Sequence, residues 1–376
     1  MIYILILLLI IILASHENKV YRNGWVICLY FLSLTLVSAL AYNIGSDTEG
    51  YVNSYRFSKI LSNLNSYDFE FIRFQPGWIL LQSCFKTLSN NYLLYQVFHA
   101  VFINYCILWF GKRFSKNLGF FLFFYCLMYY FDLNFEIQRE SFCIMGGLFV
   151  YYLCTQNKIK NRYIYILFTI VFLFFIHKSA LLLLLIPLFV SIKFREQFII
   201  IGGILAMIAP ILWSKFPYAE MIMVGISGDE DYVQQYLIYQ LNNQEQLNAI
   251  YYVVHTGLFV IIPLLFVNMS SRYNETHYHN LAIISIIFES LANYSFAFHR
   301  VAGYFFPFYW LVLVDSILLL SSKFKIKFYV LVLLFSIYII FTYRKNYFSY
   351  DNEKKQYFYE YYFPYRSVLE EGNGYN

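Results

Sequence analysis

No charged side chain interrupts Met1–Ala14, Val26–Tyr42, Phe120–Phe131 or Ser179–Ile192. Within these blocks the apolar residues are continuous and do not alternate. A segment crossing the hydrocarbon layer needs about 20 mostly apolar residues and must satisfy its backbone internally, which leaves helices for continuous blocks. The whole chain, 376 residues with 60% hydrophobic and only 13% charged, follows the same pattern. Soluble domains carry about a quarter charged residues. The sequence therefore predicts an all-α, polytopic integral membrane protein.

About twelve crossings are expected: residues 1–14, 25–42, 91–110, 118–132, 141–155, 163–176, 180–192, 198–216, 249–269, 281–298, 301–320 and 328–343. Several are short and borrow flanking Tyr, Trp, Lys or Arg to reach the interface. They form one transmembrane domain, residues 1–343, followed by an outward-facing tail, 344–376. Met1–Ala14 lacks the positive leader of a cleaved signal peptide and reads as the first anchor.

Orientation follows from the basic loops at Lys19/Arg22, Lys112/Arg113/Lys116, Lys158/Lys160/Arg162, Lys193/Arg195 and Lys323/Lys325/Lys327. Short basic loops stay cytoplasmic. For all five to share one side, the stretch near 76–90 must be re-entrant or interfacial, in keeping with Pro76-Gly77, Gln82 and Lys86. Two long loops, 43–77 and 217–248, then face outward with the tail, and together they hold most of the acidic residues. The net charge of +5 is spread over short loops, so it reports topology and not nucleic-acid binding. The six cysteines lie mostly in apolar stretches without a CxxC pair, which argues for packing and against disulfides or a metal site.

Charged groups near the membrane cost several kcal/mol unless paired or hydrated, which singles out four clusters. The first outer loop carries Asp47, Tyr51 and Tyr55, then Glu70, Arg73, Gln75, Pro76, Gly77 and Trp78. Taken alone, a solvated loop with an interfacial Trp is the simpler account of it. In Glu136-Ile-Gln-Arg139-Glu140 the Glu136/Arg139 spacing would let the two neutralise each other on a helix. Alternatively, Arg139 offers a planar fork of donors to a phosphate. His177-Lys178-Ser179-Ala180 lies between two strongly apolar helices, where two adjacent cations bring no structural gain. The last cluster runs from Glu289 to His299, Arg300 and Tyr304, with Glu289 expected to partner another buried polar group. No GxxxxGK[ST], HExxH or GxSxG motif and no Cys/His ligand spacing occurs, which disfavours ATP-driven transport, zinc hydrolysis and serine-hydrolase chemistry.

In order and spacing these clusters resemble the EpsG family of bacterial Wzy-type polysaccharide polymerases, from about residue 40 to about residue 310. Asp47, Tyr51 and Tyr55 match its opening pattern. Gln75-Pro76-Gly77-Trp78 stands where the family has an acid before a small position and an aromatic. Arg139-Glu140 stands for its Arg-Gln pair, and residues 177–180 match most closely, with Arg300 and Tyr304 following. The resemblance implies an inner-membrane enzyme, its active face outward, that lengthens a surface polysaccharide (O-antigen, capsule or exopolysaccharide). Its substrate would be repeat units carried on undecaprenyl diphosphate, with a flippase and a chain-length regulator as candidate partners.

On that reading the transfer needs neither metal nor cofactor. Arg139, Lys178 and Arg300 would hold the diphosphate, with Arg73, Tyr51, Tyr55, Gln75 and Tyr304 lining the substrate site. His177 is the first candidate base, with Asp47 and Glu140 as second choices. The rivals are an O-antigen ligase or another polyprenyl-linked glycosyltransferase, which would not add whole repeat units repeatedly, and a lipid-linked sugar flippase. A transporter would place its polar groups at mid-membrane in paired halves.

Overall fold

A computed structural model describes residues 2–15, 24–65, 74–156, 159–213, 249–273, 277–292, 296–324, 328–343, 350–351 and 356–369. The loop 217–248, Glu70 and Arg73 lie outside the described residues, as does much of the tail.

The helices in chain order are α1 (Ile2–Ser15), α2 (Gly24–Ala39), α3 (Thr48–Phe57), α4 (Pro76–Leu88), α5 (Leu93–Phe114) and α6 (Leu118–Met128). They continue as α7 (Gln138–Thr155), α8 (Arg162–Phe174), α9 (Leu185–Ser191), α10 (Gln197–Trp213) and α11 (Ala249–Thr256). The last five are α12 (Ile262–Tyr273), α13 (Tyr278–Ser290), α14 (Phe296–Gly303), α15 (Phe306–Phe324) and α16 (Phe328–Tyr343). A two-residue antiparallel ribbon, β1 (Tyr350–Asp351) with β2 (Gln356–Tyr357), is a small exception to the all-helical expectation.

Among the described residues, two helices are long and apolar enough to cross a bilayer, Leu93–Phe114 and Val253–Arg272, the second running through α11, a π-helical turn at Gly257–Ile261 and α12. Most other expected crossings are apolar helices of 10–17 residues. Two of them differ in form. Residues 180–192 begin as a 3-10 helix, Lys178–Leu184, before α9. Residues 281–320, expected as two crossings, form three helices, because α13 ends at Ser290 and α14 is a separate short helix. The expected non-crossing segment near 76–90 is α4, whose 13 residues rise only about 20 Å, against about 30 Å of hydrocarbon.

The surface is apolar and the interior carries much of the polarity. Along α8, Tyr163, Ile164, Leu167, Phe168, Val171 and Phe172 are exposed, and α10 and α16 likewise expose Ile and Leu. Water would not tolerate so much contiguous apolar surface, whereas lipid does. This is the architecture of a membrane protein.

The chain divides into two compact units. One comprises Met1–Leu148, Val171–His177 and Ile326–Asn376. In it α1 packs on α6 and α2 on α5, while Phe335 of α16 meets Phe124 of α6. A buried network pins these helices: the Asn104 amide donates to Ser38 Oγ (3.2 Å) and Asn134 Oδ1 (3.1 Å), and Tyr125 OH donates to Asn104 Oδ1 (3.0 Å). Such groups are tolerated in a core because they satisfy one another.

The other unit comprises Phe149–Ile170 and Lys178–Lys325. Here α13 lies against α10, α14 and α15. Asp315, near the middle of α15 and 2% exposed, accepts hydrogen bonds from Tyr278 OH and from Ser270 Oγ at 3.1 Å. Ser270 Oγ also meets His279 Nε2 at 2.9 Å. The lone acid in an apolar helix thus joins α12, α13 and α15.

Candidate active site

In the first unit the site is built around the turn that starts α3. Gly45 has φ +100°, a conformation that favours glycine, and a Cβ there would lie 2.8 Å from Phe135 Cβ and 2.9 Å from Glu136 Oε1. Next to it, Glu136 accepts hydrogen bonds from the Ser46 N–H (2.7 Å), from Ser46 Oγ (2.6 Å) and from Tyr362 OH. Asp47 then stands, exposed, at the N-cap position of α3 without a side-chain capping hydrogen bond. Glu136 therefore turns to Ser46 and Tyr362 and not to Arg139, so the mutual neutralisation allowed by their spacing is not formed. The cause is local: after the π turn Asp132–Glu136, Ile137 adopts φ −105° and ψ 48°, which breaks the helix before Arg139.

Burial, with the Asp47 charge second, pushes the Glu136 carboxyl up to about 7, against the pull of its three donors. A carboxyl whose folded pKa is raised from about 4.5 to about 7 contributes stability that is complete below about 4.5 and is lost as pH rises through about 7. The melting temperature of the detergent-purified protein, taken relative to a Glu136→Gln variant, should therefore fall between about pH 4.5 and pH 8. A difference that stays constant over that range would show that Glu136 does not titrate there.

Arg139 opens α7, with Nη1 3.4 Å from Gln75 Oε1 and its guanidinium carbon 4.5 Å from the centre of the Phe74 ring. Both partners are neutral, so they orient the guanidinium without cancelling its charge. Gln75 precedes Pro76 at the first position of α4. There the Gly77 N–H, an N-terminal donor without an intrahelical partner, donates to the Phe175 carbonyl at 2.7 Å. Two residues beyond Phe175, His177 Nε2 lies 3.7 Å from Glu140 Oε1, both side chains nearly buried. The structure thus brings Gln75 to Arg139 and Glu140 to His177 within one unit.

Tyr51 and Tyr55 of α3 turn inward, whereas Phe57 at its end is exposed. The Tyr51 ring meets Trp78 at 6.0 Å, and Trp78 is fully buried. Tyr55, also fully buried, donates its hydroxyl to the Ser89 carbonyl at 2.7 Å, and burial pushes that hydroxyl up to about 12. Packing accounts for both Tyr55 and Trp78.

In the second unit, Lys178 is exposed at the start of its 3-10 helix. Ser179 Oγ and Tyr304 OH share a short hydrogen bond, so the third residue of the His-Lys-Ser-Ala motif meets the last residue of the later motif. Arg300 lies in the last turn of α14. One residue earlier, His299 Nδ1 is 2.9 Å from Glu289 Oε2 and 3.2 Å from Oε1. Glu289 does partner another polar group, the part-buried His299. His299 was the less visible member, since an isolated histidine at a helix end carries no sequence signal of its partner. Tyr362 and Asp315 were also missed; only Asp315 gave a signal, as an acid inside an apolar run. Among the described residues, no three His, Cys, Asp or Glu side chains gather as metal ligands would.

Apolar helices with inward-turned polar groups define a membrane protein. The particular assignment comes from comparison: the EpsG family model matches residues 24–367, nearly the whole chain. The protein belongs to the EpsG family, whose members are like the Wzy-type polysaccharide polymerases. Comparison with curated proteins and with solved structures found no match.

Proposed function

We propose that the protein polymerises oligosaccharide repeat units carried on undecaprenyl diphosphate, at the outer face of a bacterial inner membrane. In each cycle the bond between the anomeric carbon of the growing chain and its diphosphate breaks. A hydroxyl of the next lipid-linked unit takes over that carbon, and the diphosphate leaves with the electron pair. No nucleotide is required, since the diphosphate is itself the leaving group.

The observation that carries this reading is Arg139, oriented by Gln75 and Phe74 while its charge stays uncompensated by either. A fixed cation in a poorly hydrated setting stabilises the charge that grows as a diphosphate departs. Lys178 and Arg300 are proposed as further diphosphate contacts, and Asp47 and Tyr51 as acceptor contacts. The acceptor proton passes to a histidine paired with a carboxylate; among the described residues these pairs are His177 with Glu140 and His299 with Glu289.

The test is a profile of lipid-linked glycans from cells lacking the protein, with and without complementation. Accumulated single repeat units, converted to long chains on complementation, are expected. Transfer of one unit to a terminal acceptor would instead identify a ligase, and disappearance of outward-facing units would identify a flippase.

A further inference from the structure

We propose that His299, backed by Glu289, is the general base that removes the proton from the acceptor hydroxyl. This rests on the polymerase reading and chooses between its two histidines.

The geometry of the pair carries the choice. Both oxygens of Glu289 lie within 3.2 Å of His299 Nδ1. A carboxylate at Nδ1 holds the proton on that nitrogen, so the neutral ring presents a lone pair at Nε2, the tautomer a base requires. It also stabilises the imidazolium once the proton has arrived. His177 is arranged the other way: Nε2 itself is the atom nearest Glu140, and at 3.7 Å it is beyond hydrogen-bonding distance.

Burial is graded in the same sense. The Glu289 side chain is 5% exposed and that of His299 13%, so the carboxylate is the more deeply shielded of the pair. Phe306 flanks the ring, its centroid 5.4 Å away and edge-on, which restricts ring rotation. The pair sits where regular structure stops: α13 ends at Ser290, one residue past Glu289, and His299 follows on the short α14. Arg300 is the next residue, which places a cation suited to the leaving diphosphate beside the group that takes the proton.

The step balances without any co-reactant. The acceptor O–H bond breaks and its proton goes to His299 Nε2. The acceptor oxygen bonds to the anomeric carbon, and the carbon–oxygen bond to the diphosphate breaks with its electron pair leaving on the diphosphate. His299 then releases the proton to water.

The test uses membranes from cells that lack the protein and have accumulated their lipid-linked repeat units, supplied to the purified full-length protein. His299→Ala should lower kcat about 10²- to 10⁴-fold with little change in KM, and added imidazole should restore part of the rate. Glu289→Gln, which keeps a hydrogen-bonding group at Nδ1, should also lower kcat and should shift the acidic limb of the rate profile to lower pH, because the imidazolium loses its counter-charge. A merely structural pair would move neither the limb nor the response to imidazole. His177→Ala should act mainly on KM. Full activity in His299→Ala, or a kcat loss confined to His177→Ala, would overturn the assignment and leave the polymerase reading standing. No chain growth by the wild-type protein would overturn both.

Discussion

Cells whose only copy carries Arg139→Ala should keep normal amounts of the protein in the membrane yet make no long-chain polysaccharide, accumulating single lipid-linked units. The guanidinium hydrogen-bonds the neutral Gln75 amide and lies over the Phe74 ring, neither of which is a carboxylate that its removal would strand, so the fold should survive. What is lost, on the proposed function, is the cation assigned to the leaving diphosphate. Removing one such donor costs about 10²- to 10³-fold in enzymes of known mechanism, and a whole cation should cost at least that. Arg139→Lys should recover little, because a point charge lacks the planar fork that a phosphate engages. Normal chain lengths in the Ala variant, read on a glycan gel, would remove Arg139 from the site.

Gly77→Val should produce the largest loss of folded protein. A Cβ at residue 77 would lie 2.6 Å from the Phe175 carbonyl oxygen and 2.7 Å from its carbon. Those are backbone atoms at the end of α8, so no side-chain rotation relieves the clash. The same approach brings the Gly77 N–H to that carbonyl, and a displaced α4 would forfeit this bond too. Overpacking of this kind costs about 1–3 kcal/mol, and the lost bond about 1 more. Gly77→Val should therefore lower the melting temperature in detergent clearly more than Gly50→Val, whose Cβ position meets nothing within 4 Å. Equal melting temperatures would mean that the junction of α4 with residue 175 yields readily. The junction also explains the small residue in Gln75-Pro76-Gly77-Trp78: it is where α4 meets the segment that leads into His177.

Much of the helical framework was legible because apolar runs with charged or Pro/Gly ends are local signals. The stretch expected at 25–42 is Gly24–Ala39, and that at 91–110 is Leu93–Phe114. Where the expectation failed, the apolar run was the same but its backbone was not. Lys178–Leu184 winds as a 3-10 helix, and residues 281–320 break twice. Hydropathy measures transfer from water and is indifferent to which helix the residues adopt. The polar clusters were legible as unusual residues, yet their partners were not. Glu136 has an obvious neighbour in Arg139 three positions on, but it binds Ser46, 90 residues earlier, and Tyr362, 226 residues later. Such pairings are set by tertiary packing, to which spacing along one helix gives no access.

The segment near the carboxyl end has a consequence for how the chain is threaded. Its backbone joins that of residues 40–45: the Tyr42 N–H donates to the Arg366 carbonyl at 3.0 Å, the Val368 N–H to Leu40 and the Gly45 N–H to Tyr361. Loop groups outside the crossing helices that share hydrogen bonds occupy one side of the hydrocarbon layer, so between residues 45 and 361 the number of crossings must be even, whatever that number is. The bond from Ser46 to Glu136 imposes the same parity on a shorter stretch. With α5 and α6 each crossing once, α4 can add none. An insertion map with an odd count over either interval would be incompatible with these bonds, so parity constrains the topology independently of hydropathy and loop charge.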